Sequence, residues 1–260
     1  MKSTHQFFLL KMANVLLVGD SHLFWRGESP KRREWYGLLP GYVQQDLRNY
    51  MDVYCLEAST LEHLRGEEFV LQVDRIVQQA QNPEFYVVLS VGHNDAYHWS
   101  QEHGEATYAE ATQAAGEIVH EAFQSLQAFV ARDSIPVDSG RIGMKVLRVV
   151  VFPYSEDPEI YCSPAYCSAK YAFHAAVCEQ AQALISPWVL AMEHLGCDPE
   201  VYVEQQLECD PAVYEDGWHA DLYTQRRRAG RLSETLMGYF QVHYLFHGIG
   251  AIEHERKAKL

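Results

Sequence analysis

The chain has 260 residues, 48% hydrophobic and 22% charged, enough to bury a full core in one large α/β domain or two smaller ones. Its 35 acidic side chains outnumber 21 basic ones, and the resulting formal net charge of -14 repels phosphate backbones and anionic lipid surfaces, which argues against nucleic acid as a partner. Six cysteines, none in a CxxC pair, exclude a disulfide scaffold and a zinc ribbon and read as reduced structural thiols.

The segment Phe7 to Val18 is apolar, but Lys11 interrupts it, it is too short to span a bilayer, and no small-residue cleavage site follows. The expectation is an intracellular protein without a membrane span, with Met12 as an alternative start. Short β-branched runs then alternate with stretches of helical period, which predicts strands joined by crossover helices in a parallel sheet. The predicted strands are Asn14 to Val18, Asp52 to Leu56, Phe85 to Val91, Lys145 to Phe152 and a weaker one at Glu200 to Val203. One helix places Phe69, Val73, Ile76, Val77 and Ala80 on one face, and another places Ala115, Ile118, Val119, Ala122, Leu126, Phe129 and Val130 there. A third is expected from about Ala165 to Leu195, kinked or split at Pro187, and a last from Leu222 to Phe240. Arg226, Arg227 and Arg228 read as its solvated face. With no linker or repeat, a single domain is expected over residues 1–260, with 1–12 and 241–260 as peripheral tails. The polar loops near 133–144 and 153–165 are of the kind that shape a substrate site.

Three motifs fall where chemistry is expected. The first strand runs into Gly19-Asp20-Ser21, which delivers a hydroxyl at the C-terminal edge of a buried parallel strand. A helix starting after Ser21 would aim backbone N–H groups at the same point. The third strand ends in Gly92-His93-Asn94-Asp95, where the Asn94 amide suits an oxyanion donor, or a loop asparagine that satisfies local backbone. Just before the last helix, Asp216 and His219 stand three residues apart, so the carboxylate can reach the imidazole and fix its tautomer; the rival is a cap beside a surface histidine.

Taken together, these motifs resemble those of the SGNH or GDSL-type hydrolases, over residues 14 to 240. The resemblance implies a three-layer α/β/α sandwich around a five-stranded parallel sheet, with no metal or organic cofactor. It implies Ser21 as nucleophile, His219 as general base and Asp216 as its orienting carboxylate, with Ser21, Ala58 and Asn94 forming the oxyanion hole. Asp20, His22, His93 and Trp218 are the expected substrate-binding residues, and Trp25, Trp35, Tyr36, Tyr97 and Trp99 are further aromatics near the motifs. Two departures stand out. The segment Glu57-Ala58-Ser59-Thr60 lies where the family carries a glycine, and His22, expected to face solvent, lies where it carries an apolar residue. The implied activity is hydrolysis of a small-molecule or glycan carboxylic ester through an acyl-enzyme on Ser21. Alternatives are a carbohydrate O-deacetylase, an acyltransferase, or a binding module of the same fold with weak catalysis.

Overall fold

The computed structural model describes residues 13–25, 38–80, 82–130, 144–152, 163–184, 202–203 and 218–257. Asp216, Trp35, Tyr36, Trp188 and the loops 133–143 and 153–162 lie outside them. Five parallel strands, β1 (Ala13–Gly19), β2 (Met51–Glu57), β3 (Glu84–Ser90), β4 (Lys145–Val151) and β5 (Tyr202–Val203), pair in the order β2-β1-β3-β4-β5. The sequence-predicted parallel sheet is therefore present, and residues 200–201 of the predicted fifth strand lie outside the described residues.

Alternation along the strands sorts the core into two layers. Leu16, Val18, Phe85, Val87 and Leu89 point to one face. There they meet α3 (Glu67–Gln79), α4 (His93–Glu102), α5 (Tyr108–Val130) and α6 (Pro164–Leu184). Val15, Leu17, Tyr86 and Val88 point to the other, covered by α1 (Ser21–Phe24), α2 (Leu38–Leu47) and α7 (Leu222–Lys257). A bulge shifts the β3–β4 register between Phe85 and Tyr86, so Val146 and Val149 share the first face while Leu147 and Val150 turn to the second.

The helices follow their predicted stripes with two differences, in α5 and at the end of α7, while residues 185–195 of the predicted third helix lie outside the described residues. In α5 the inward positions are Ala111, Ala115, Val119, Ala122, Phe123 and Leu126, and Ile118 is left 37% exposed on the flank. Val119 occupies the inward i+4 position from Ala115 that Ile118, at i+3, does not reach. The described part of α6 ends at Leu184, before Pro187. α7 continues seventeen residues past the predicted end at Phe240, to Lys257. Its three arginines also part company. Arg226 pairs with both carboxylate oxygens of Asp46 in α2, at 3.0 and 3.1 Å, and lies over the Tyr42 ring; Arg227 lies over Tyr223; Arg228 is buried. The expected solvated face is in part a clamp between α2 and α7. Among the described residues no helix is long and apolar enough to cross a membrane.

The strand order reverses between β1 and β3, and the crevice beyond their C-terminal ends is where such sheets hold ligands. Both predicted strand-end motifs open onto it.

Candidate active site

Gly19 is the last residue of β1, and the turn that follows needs it. A Cβ there would lie 2.7 Å from the Ser90 carbonyl oxygen and 2.9 Å from the Ser90 Cβ, because β1 and β3 close up where Asp20 N–H donates to Ser90 O at 3.0 Å. Asp20 then caps α1, its Oδ1 accepting from the His22 N–H at 3.0 Å, so Ser21 becomes the first helical residue.

His219, in the turn before α7, meets Ser21 across 198 residues of chain, with its Nε2 2.8 Å from Ser21 Oγ. The imidazole is bracketed by aromatic rings. Trp25 lies face to face on it, with centroids 3.8 Å apart and planes 2° from parallel, while His22 sits obliquely at 5.5 Å. Beside the pair opens a cleft of about 400 Å³ lined by Gly19, Asp20, Ser21, Phe24, Trp25, Glu57 and Ser59.

Asn94 and Asp95 follow Gly92, whose φ of 89° is the left-handed conformation that glycine adopts without strain and that turns β3 sharply into α4. From there both side chains grip the loop after β2. Asn94 Nδ2 donates to the Ser59 carbonyl at 2.8 Å, and Leu61 N–H donates to Asp95 Oδ2 at 3.0 Å. One N–H of the Asn94 amide remains for another acceptor. Among the described residues the main-chain N–H groups of Ser21 and Ser59 meet no acceptor.

The expected role of Ala58 needs correction. Its N–H donates to the Gly19 carbonyl at 2.6 Å, extending the β1–β2 ladder one residue past the strand, and this spends the hydrogen that an oxyanion would need. The side chain is fully buried beneath the loop. Ser59, next in the chain and on the cleft wall, is the better placed donor.

The expected substrate-binding residues divide. Asp20 borders the cleft, but it is only 3% exposed and its carboxylate turns inward, with Ser90 Oγ 3.5 Å from Oδ1. Burial, reinforced by the charge of Asp95, pushes its carboxyl up to about 8 despite the His22 N–H bond that opposes the rise. His93 is 1% exposed, hydrogen-bonded to the Tyr166 hydroxyl and stacked on Trp218 at 4.6 Å, so it supports the site from behind rather than meeting substrate. His22 does not face solvent. Its ring lies 3.9 Å from that of His93 and 5.4 Å from Trp218, and its Nε2 is buried. Burial first, then the neighbouring His93, His219 and Arg228, holds its imidazolium well below the usual histidine range. Trp218 is half-buried among His93, Tyr97 and Tyr166, where it backs the cluster. Tyr166, on α6, carried no signal in the sequence, whereas Trp25 stands four residues after Ser21, a spacing that puts both on one helical side. Among the described residues no group of three or more His, Cys, Asp or Glu side chains is arranged to hold a metal ion.

Neither a protein-family model nor a curated protein matches the sequence. Solved structures do. The inhibitor-bound aryl esterase of M. smegmatis is 15% identical, with a TM-score of 0.51 over 87% of this chain and 99% of that one. The lipase/acylhydrolase from Enterococcus faecalis is 14% identical, with a TM-score of 0.46 over 87% of this chain and 96% of that one. TesA is 16% identical, with a TM-score of 0.43 over 87% of this chain and 99% of that one. At such identity the likeness to the aryl esterase concerns architecture alone, and the chain shares the fold of that structure.

Proposed function

We propose that this protein is a serine hydrolase of carboxylic esters. The observation that carries the reading is the 2.8 Å approach of His219 Nε2 to Ser21 Oγ at the mouth of a cleft. Two side chains so far apart in sequence, on a strand end and a helix entry, have no evident packing reason to meet at a solvent-accessible point. As Ser21 attacks the ester carbonyl, its proton passes to His219, and the carbonyl oxygen gains charge. The N–H groups of Ser21 and Ser59 and the second N–H of Asn94 are the donors suited to that oxygen. Collapse returns the proton from His219 to the leaving alcohol, and water then releases the acyl group by the same route. Asp216 is the proposed carboxylate partner of His219.

Cleft size and lining suit a small-molecule ester, and a glycan ester or a sugar hydroxyl as acyl acceptor is compatible with the same chemistry. The rival is a binding module, which draws on the altered segment at Ala58. A fluorophosphonate probe and a p-nitrophenyl ester decide between them. Covalent labelling and ester turnover, both abolished in Ser21→Ala, are expected; an inert Ser21 in folded protein would favour the module.

A further inference from the structure

The indole of Trp25 covers one face of His219, with 3.8 Å between centroids and 2° between planes. Among the described residues the His22 ring, by contrast, is oblique to His219, at 5.5 Å and 38°. Trp25 and Ser21 leave the same short helix, so a single turn of backbone sets both the nucleophile and the surface against which its base rests. The stack is at the cleft, since Trp25 also forms part of its wall.

We infer that Trp25 is a positioning residue for the Ser21–His219 pair: the parallel indole holds the imidazole plane in line with Ser21 Oγ and favours the imidazolium that forms as the serine proton moves to Nε2. This rests on the esterase reading. A cation over an indole face is attracted to the ring's negative quadrupole, and the attraction grows when water is excluded. Neutral imidazole gains less from the same contact. The interaction is therefore stronger in the transition state, where His219 carries the proton, than in the resting pair, which is the condition for accelerating a step rather than tightening binding. Other groups stand around the pair without stacking as Trp25 does: the His22 ring is tilted 38° from His219, the buried His93 and Arg228 of α7 lie beside His22, and Asp20 and Glu57 at the end of β2 border the cleft.

Trp25→Leu tests the inference with p-nitrophenyl acetate, whose small acyl group makes few contacts with the cleft wall. A fall in kcat of roughly 3- to 30-fold is expected from losing a partly desolvated cation–π contact. KM should stay within about twofold, since the lost interaction belongs to the transition state. Trp25→Phe, which restores a ring face, should recover most of kcat. In NMR spectra the His219 ring protons, shifted upfield by the indole ring current in the native protein, should move downfield in Trp25→Leu. Trp25→Met keeps apolar bulk without a ring and replaces Trp25→Leu should the latter fail to fold. Wild-type kcat in a folded ringless variant, a change confined to KM, or a Trp25→Phe protein as slow as the ringless one would overturn the inference. Native protein inert to both ester and fluorophosphonate would instead sink the esterase reading itself, and this inference with it.

Discussion

Asn94 holds the loop it shares the site with: its Nδ2 donates 2.8 Å to the carbonyl of Ser59, the residue whose own N–H stands on the cleft wall. One amide thus fixes the neighbouring Ser59 N–H while keeping a second hydrogen, which the proposed mechanism directs to the oxyanion. Asn94→Ala should therefore remove two contributions together, lowering kcat by at least the roughly 10²- to 10³-fold expected of one donor. Asn94→Asp should be no better than Ala, because its carboxylate would oppose both the Ser59 carbonyl and the developing negative charge. Steady-state kinetics with matched unfolding curves check this, and an Asn94→Ala protein with wild-type kcat would remove Asn94 from the oxyanion hole.

At position 58 the expectation is now one of stability rather than catalysis. The N–H of Ala58 is committed to Gly19, and its methyl is fully buried. Ala58→Val should cost roughly 1–3 kcal/mol through overpacking. Ala58→Gly should leave kcat nearly unchanged. Denaturant titrations beside ester turnover distinguish the two effects; a large kcat gain in Ala58→Gly at unchanged stability would restore the oxyanion role.

Gly19→Ala should be the more damaging glycine change. The added methyl would sit 2.7 Å from the Ser90 main-chain oxygen, which cannot retreat without parting β1 from β3. The nucleophile turn must shift, so both stability and phosphonate labelling should fall, by roughly 1–3 kcal/mol for the former. A Gly19→Ala protein labelled at the native rate would show that the turn tolerates displacement.

Asp20 and His22 link stability to pH in opposite senses. With its carboxyl pushed up to about 8 from 3.8, the folded chain keeps a proton on Asp20 that the unfolded chain releases, so this contribution is complete in acid and fades as pH rises toward and through about 8. For His22, held well below 6.5, the unfolded chain takes up a proton that the folded chain refuses, so stability falls as pH drops below about 6.5. Urea unfolding should show Asp20→Asn losing less stability than wild type as pH rises from about 4 to about 8, and His22→Phe losing less as pH falls below about 6.5. An Asp20→Asn protein that keeps the wild-type slope between about pH 4 and 8 would contradict the first assignment.

The sheet was legible because strands buried on both faces leave continuous apolar runs such as Asn14 to Val18, and the site's outline was legible because its motifs lie at strand ends. Details set by tertiary contact were not. The inward turn of His22 depends on His93 and Trp218, which lie far along the chain, and a lone histidine beside a nucleophile gives no sign of it. The extra ladder bond at Ala58 depends on how far β1 runs beside β2, which composition does not encode.

The separation of 198 positions between Ser21 and His219 also sets an order in time. During synthesis Ser21 leaves the ribosome well before His219, with β2, β3, β4 and β5 made in between. The Arg226–Asp46 clamp that fastens α7 to α2 lies seven residues beyond His219. On the proposed function, a nascent chain would thereby be spared from attacking esters with a half-built site, and ester turnover would report that α7 has docked.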